Sequence, residues 1–113
     1  MEKYSTKKFH LALKDILEKK DVKLRGLAGR TNLNYTYFSK LKAREKSPPV
    51  RTIEIIAAGL KISPQYFLEY RIHQITDFLT KNPEMVGSVM SFIEDLTREE
   101  VPKVAEPGEE FDN

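Results

Sequence analysis

The chain is organised around the stretch KLRGLAGRTNLNYTYFSKLK, residues 23–42. Apolar residues recur at helical spacing over residues 23–31, so one face of a helix there can pack inward. Asn32 follows, and Asn adopts the left-handed backbone conformation more readily than most residues other than Gly, which lets the chain reverse direction. Asn34 is a good N-cap, because its side chain can accept a hydrogen bond from a free N–H of the next turn. The stretch therefore predicts two short helices joined by a tight turn.

The second of these helices has an apolar seam and a polar outer face. Phe38 and Leu41 lie three residues apart and form the seam. The other side carries hydroxyl groups and one cation, on Tyr35, Thr36, Ser39 and Lys40. Such a helix has the hydrogen-bond donors and the charge needed to enter the major groove of DNA.

At these residues the chain resembles the lambda-repressor-like family, the Cro/XRE type of helix-turn-helix proteins. The residues that carry the resemblance are Leu27-Ala28, Asn32, Leu33, Asn34 and residues 37–41. It continues through residues 48–63, which are similar to the fourth helix of the family, and covers about residues 8–70. The resemblance implies an all-α chain with a five-helix DNA-binding domain at residues 1–71. The apolar pattern of residues 72–98, described below, adds a C-terminal helical hairpin for dimerisation.

The resemblance also implies which residues face the nucleic acid. The base contacts of the family map onto Tyr35, Thr36 and Lys40. Lys23 and Arg25 lie at the N-terminus of the preceding helix, where free N–H groups favour a phosphate. The predicted DNA-binding residues are Lys23, Arg25, Asn34, Tyr35, Thr36, Tyr37, Ser39, Lys40, Arg44, Lys46 and Arg51.

The net charge of +2 conceals a division along the chain. Residues 1–71 contain 16 Lys and Arg against 7 Asp and Glu, a net charge of +9. Residues 72–113 contain 3 against 10, a net charge of −7. A basic segment that coincides with the helix-turn-helix pattern indicates a polyanionic partner for the first part only.

Helices are also predicted on both sides of the opening stretch. Residues 7–20 follow a helical template, with Ser5 or Thr6 as the cap, and residues 52–60 form a fourth helix. Ser63-Pro64 predicts the start of a helix that continues through residue 79. Within helix two, Gly26 and Gly29 each cost up to ~1 kcal/mol relative to Ala, so either a neighbouring helix comes close there or the helix simply tolerates them.

Residues 72–98 carry two more apolar stripes, and Asn82-Pro83-Glu84 predicts the start of the second helix. The resulting hairpin has more apolar surface than an isolated pair of helices can bury. We predict that it dimerises; folding back over its own domain is the alternative. The predicted dimerisation residues are Ile72, Ile75, Phe78, Leu79, Val86, Val89, Met90, Ile93 and Leu96. Residues 99–113 combine acidic side chains with Pro and Gly, which predicts an acidic flexible tail.

Several classes of function have no support in the residues. The chain contains no Cys and only two His, so we expect no disulfide, no thiol chemistry and no metal site. It shows no nucleophile beside a base and no Gly-rich phosphate loop, so we expect no enzyme, no cofactor and no obvious small-molecule ligand. No apolar run approaches ~18 residues and residues 1–5 lack a signal core, so we expect a cytoplasmic protein and no membrane partner.

Two main functional hypotheses follow. The first is a sequence-specific transcriptional regulator, with repression as the expected mode, that binds double-stranded DNA as a homodimer on an inverted repeat. The alternative is an antitoxin-like interaction module that binds a partner protein through its C-terminal half. A third hypothesis, an RNA-binding or structural module, has less support, because the sequence lacks an interleaved platform of stacking aromatic residues.

Overall fold

The computed structural model describes residues 4–44 and 47–100. All regular elements within those residues are helical, which confirms the prediction of an all-α chain. The α-helices are α1 (Phe9–Lys20), α2 (Leu24–Thr31), α3 (Tyr35–Arg44), α4 (Val50–Leu60), α5 (Leu68–Lys81) and α6 (Val86–Glu100). Two single 3₁₀ turns, Pro64–Tyr66 and Pro83–Met85, precede α5 and α6. Within the described ranges, no helix combines the length and the apolar composition needed to cross a membrane.

The chain divides into two compact units, Met1–Thr76 and Asp77–Asn113, called here the first and the second unit. The division falls inside α5, whereas the sequence predicts the end of the DNA-binding segment at Arg71. Two hydrogen bonds hold the first turn of α5 in the first unit. The Tyr70 hydroxyl donates to Oε2 of Glu54 at 3.0 Å, and the Arg71 guanidinium donates to the carbonyl oxygen of Ser5. Since α5 then continues without a break, the helix itself gives no boundary at residue 71.

The core of the first unit is built from the inner faces of α1 to α4, together with Phe67. Its buried side chains are Phe9, Ala12, Leu13, Ile16, Leu27, Phe38, Leu41, Ile53, Ile56, Ala57, Leu60 and Phe67. The four on α4, Ile53, Ile56, Ala57 and Leu60, recur at helical spacing and so share one face of the helix. The rings of Phe9 and Phe67 lie 4.5 Å apart between centroids, so Phe67 closes the core over the start of α1.

Helices α2 and α4 approach each other closely at Gly59. A Cβ atom added to Gly59 would lie 2.7 Å from Cγ2 of Thr31 and 3.3 Å from Cδ1 of Leu27. By contrast, a Cβ atom at Gly26 or Gly29 would meet nothing within 4 Å. Close packing therefore explains the glycine of α4, while the two glycines of α2 are simply tolerated.

Helix α1 begins two residues later than the sequence predicts, because its first turn is capped from a distant part of the chain. The backbone N–H of Phe9 donates to Oε2 of Glu69 at 3.0 Å. Ser5 does not cap the helix. It is buried, and its backbone N–H donates to the carbonyl oxygen of Tyr66 at 2.8 Å.

The helix predicted to run from Pro64 through residue 79 is interrupted. Ser63 caps it as predicted, since its Oγ accepts a hydrogen bond from the N–H of Gln65 at 3.2 Å. The turn that follows is 3₁₀, and Phe67 has extended backbone angles, φ −87° and ψ 131°. Because Phe67 is extended and not helical, a new helix, α5, starts at Leu68. The same conformation accompanies a fully buried Phe67 side chain.

In the second unit, Asn82 ends a helix instead of starting one. Its side-chain amide donates to the carbonyl oxygen of Phe78 at 2.9 Å and so caps the last turn of α5. It makes no side-chain hydrogen bond to the turn that follows. The predicted start at Asn82-Pro83-Glu84 is therefore a 3₁₀ turn, and α6 itself begins at Val86.

Candidate nucleic-acid interface

The turn between α2 and α3 is formed by the residues that the sequence indicates. Asn32 has left-handed backbone angles, φ 61° and ψ 22°. The hydroxyl of Thr31 donates to the carbonyl oxygen of Leu27 at 2.8 Å, and its oxygen accepts from the N–H of Leu33 at 3.3 Å. Oδ1 of Asn34 accepts from the N–H of Thr36 at 2.8 Å and caps α3. The predicted reversal at Asn32 and the predicted cap at Asn34 are both confirmed.

The buried seam of α3 fixes which way the helix faces. Phe38 and Leu41 are 3% and 6% exposed, and both belong to the core. Leu33, in the turn, packs against the same core. Tyr37 is half-buried and meets the ring of Phe38 edge to face, with 5.9 Å between centroids. Of the predicted contact residues on α3, Tyr37 therefore lies at the border of the core, not on the open side of the helix.

The open side of α3 carries four other predicted residues of this helix. Tyr35, Thr36, Ser39 and Lys40 are all exposed, and we call this set the outer face of α3. Ser39 donates its hydroxyl to the carbonyl oxygen of Thr36 at 2.9 Å, which leaves the oxygen of Ser39 as an acceptor. The outer face thus presents a phenol, two hydroxyl groups and an ammonium group on a helix whose rear is anchored.

Arg25 lies closer to α3 than the sequence indicates. Its guanidinium carbon Cζ is 4.4 Å from the centroid of the Tyr35 ring. Arg25 is the second residue of α2 and Tyr35 is the first of α3, so the contact spans the turn. The sequence predicts both residues as DNA contacts but gives no sign that they touch.

The flanking basic residues differ in how much the structure shows of them. Lys23 is exposed at the N-cap of α2, and its side chain makes no capping hydrogen bond. Arg51 is exposed in the first turn of α4. Arg44 is the last residue of α3, but its side chain falls outside the described part, and Lys46 lies outside the described residues altogether. Lys23 and Arg51 are accessible to an anion.

Most of the predicted dimerisation residues are exposed apolar side chains. Ile72, Ile75, Phe78, Val86, Met90, Ile93 and Leu96 have exposed fractions between 41% and 58%. Leu79 and Val89 are half-buried. No residue of α6 whose side chain is described is buried. The described apolar side chains of α6 are thus all exposed or half-buried.

Phe92 is an exposed apolar residue outside the predicted dimerisation set. It has the largest exposed fraction of the exposed large apolar side chains, 63%. It lies three residues after Val89 and four before Leu96, so helical spacing joins it to the predicted stripe. The apolar side of α6 is wider than predicted, and the same spacing rule would have revealed it.

A groove of about 580 Å³ lies between α1, the start of α2 and α3. Apolar side chains such as Leu11, Leu17 and Val22 line it, and its volume is within the range of small-molecule pockets. Its charged lining consists of two lysines and two acidic residues, Lys14, Lys23, Glu18 and Asp21. This mixed lining selects neither an anionic nor a cationic ligand. Within the described ranges, no group of three His, Asp or Glu residues could hold a metal ion.

Three kinds of comparison bear on the identity of the chain: with protein-family models, with curated proteins and with solved structures. None of the three comparisons found a match.

Proposed function

We propose that this chain is a sequence-specific regulator of transcription that binds double-stranded DNA, with repression as the expected mode. The observation that carries the proposal is the outer face of α3. Its exposed hydroxyl and ammonium groups stand on a short helix that is capped by Asn34 and anchored by Phe38 and Leu41. A rigid helix with donors along one side is the element that reads base edges in the major groove.

Charge supports the same proposal. Residues 1–71 have a net charge of +9, and the exposed Lys23 and Arg51 lie at the starts of α2 and α4. The N-terminus of a helix favours an anion, because its free N–H groups and the helix dipole both attract negative charge. In the proposed complex, Lys23 and Arg51 contact phosphates on either side of the groove that α3 enters.

The proposal includes the finer assignment of the fold, in which α1 to the first turn of α5 form a lambda-repressor-like helix-turn-helix domain. The order of the helices supports it, as does the three-residue turn between α2 and α3. The left-handed Asn32 and the capping Asn34 are the two residues that such a turn requires. In this assignment α2 crosses the DNA backbone and α3 lies in the groove.

A second copy of the chain is the proposed partner of the exposed apolar residues of α5 and α6. One helix-turn-helix covers only a few base pairs, so a specific site needs two copies at a fixed separation. Half-sites one helical turn apart are ~34–36 Å from centre to centre, and a two-fold protein then requires an inverted repeat. Apolar side chains such as Phe78, Met90 and Ile93, which are 45–52% exposed, supply a surface for that contact.

DNA binding is tested by selecting bound sequences from random duplex and then measuring affinity against salt concentration. Each Lys or Arg that neutralises a phosphate contributes ~0.9 to the slope of log K against log salt. Lys23→Ala and Arg51→Ala should each lower the slope by about that amount. Lys61→Ala, an exposed lysine at the opposite end of α4 from Arg51, is the matched control and should leave the slope unchanged. Failure of the wild-type chain to bind any duplex at low salt refutes the proposal.

Dimerisation is tested by sedimentation of the full chain at micromolar concentration. Ile93 is 45% exposed in the single chain, so Ile93→Glu should leave the helix intact but place a charge in the apolar contact. Ser91→Glu adds the same charge at an exposed position away from the apolar stripe and serves as the control. We expect a dimer for the wild type and Ser91→Glu and a monomer for Ile93→Glu. A monomeric wild type removes the homodimer from the proposal.

A further inference from the structure

The contact between Arg25 and Tyr35 joins the two helices of the proposed DNA-binding motif. The guanidinium carbon lies 4.4 Å from the ring centroid, within the distance at which a cation is attracted to the face of an aromatic ring. Both side chains are exposed, Tyr35 by 39%. The pair therefore lies on the surface, at the end of α3 that bears the cap.

The guanidinium of Arg25 keeps its hydrogen-bonding capacity in this contact. It forms no hydrogen bond or ion pair with any other described residue, and an arginine has five N–H donors in a rigid fork. The ring interacts with the group through its face, not through an acceptor atom. A side chain already held in place also loses less rotamer entropy on binding than a free one. Arg25 is thus a pre-positioned donor.

We infer that Arg25 reads a guanine base in the major groove and that Tyr35 acts as its positioning residue. This inference rests on the proposed function. Guanine presents two acceptors, O6 and N7, on its major-groove edge, and these match the guanidinium fork. The position of the cation supports a base contact: it lies over the ring of Tyr35, the first residue of α3, which is the helix proposed to enter the groove.

The first test compares sequence preferences of the full chain and of Arg25→Ala, selected from random duplex. We expect the wild type to prefer guanine at one position of each half-site and Arg25→Ala to lose that preference by roughly 5- to 140-fold, with other positions unchanged. Arg30→Ala is the matched control in the same helix. Its guanidinium donates to the carbonyl oxygen of Gly59 at 3.2 Å, so its loss should leave the preference intact.

The second test replaces the preferred guanine with 7-deazaguanine, which lacks the N7 acceptor. Wild-type affinity should fall on the substituted duplex, while Arg25→Ala should bind the two duplexes equally well. A phosphate contact behaves differently. In that case Arg25→Ala would weaken binding to all sequences alike and lower the salt slope by ~0.9, and the deaza substitution would have no effect that depends on Arg25.

The third test isolates the positioning role of Tyr35. Tyr35→Phe keeps the ring and should keep the guanine preference, whereas Tyr35→Leu should reduce it by roughly 2- to 5-fold, the worth of an exposed cation–π contact. In an Arg25→Ala background, Tyr35→Leu should have no further effect at that position. Equal losses for Phe and Leu would mean that the hydroxyl makes the contact and would overturn the positioning role.

The outcomes separate this inference from the function on which it rests. A wild-type chain that binds no duplex refutes the proposed function and this inference together. Specific binding in which Arg25→Ala retains the guanine preference, or loses affinity uniformly across sequences, overturns the inference alone. Loss of the preference together with loss of sensitivity to 7-deazaguanine establishes it.

Discussion

Replacing Gly59 with Ala should destabilise the protein, although alanine is the better helix former. Gly59 lies in the last turn of α4, and its new methyl group would be 2.7 Å from Cγ2 of Thr31. Thr31 cannot easily turn away, because its hydroxyl donates to Leu27 at 2.8 Å and accepts from Leu33 at 3.3 Å. The methyl group must therefore push α2 and α4 apart.

The magnitude is the difference between two opposing effects. Alanine in place of glycine in a helix contributes about 0.5–1 kcal/mol. Overpacking a close contact costs about 1–3 kcal/mol. We expect Gly59→Ala to lower the free energy of unfolding by about 1 kcal/mol, which corresponds to a decrease of roughly 4–8 °C in Tm for a unit of this size.

Urea denaturation followed by circular dichroism measures the effect, and Gly29→Ala supplies the control. Gly29 lies in α2 with nothing within 4 Å of its added Cβ, so this variant should gain about 0.5–1 kcal/mol. Thr31→Ser removes Cγ2 but keeps the hydroxyl, so it should relieve the destabilisation of Gly59→Ala. If Gly59→Ala is as stabilising as Gly29→Ala, the close contact between α2 and α4 does not limit this position and the reasoning fails.

Three further predictions concern single side chains. Glu69→Ala leaves the N–H of Phe9 without its acceptor and should cost about 1–3 kcal/mol in urea denaturation, while Glu69→Gln, which keeps an acceptor oxygen, should cost less. The hydrogen bond to Glu54, with burial, raises the pKa of Tyr70 above its ordinary 10.0. The stability that neutral Tyr70 contributes is therefore present below pH 10.0 and is lost as the pH rises through the raised pKa. When unfolding is measured from pH 9 upward, Tyr70→Phe should lose less stability at alkaline pH than the wild type. An equal loss in the two proteins would contradict the shift in pKa. Lys40→Ala should cost about 1–3 kcal/mol at one base pair and relax the preference there in a binding-site selection, and a uniform loss would make Lys40 a phosphate contact.

The parts of the fold that were predictable from the sequence depend on neighbours close in the chain. Asn32 and Asn34 determine the turn through their own backbone preferences and a hydrogen bond two residues away. The buried residues of α4 follow from helical spacing alone. The outer face of α3 was predictable for the same reason, because the buried Phe38 and Leu41 fix it by elimination.

The parts that were not predictable depend on partners far away in the sequence. The cap of α1 comes from Glu69, 60 residues after Phe9. The interruption before α5 accompanies the burial of Phe67 against Phe9, and no local signal marks it. In the candidate site, Arg25 and Tyr35 meet only because the turn brings the start of α3 back to the start of α2. Spacing rules identify the face of each helix but not the contacts between helices.

The long-range cap of α1 has a consequence for how the protein is made. A ribosome releases the chain from its N-terminus at about 5–20 residues per second, so Glu69 follows Phe9 by roughly 3–12 seconds. During that interval the first N–H of α1 lacks its carboxylate, and Ser5 lacks both the Tyr66 carbonyl and the Arg71 guanidinium that it contacts in the finished fold. The first unit can therefore complete its fold only after the start of α5 has left the ribosome. Until then Phe9 also lacks the ring of Phe67 that packs against it in the finished fold.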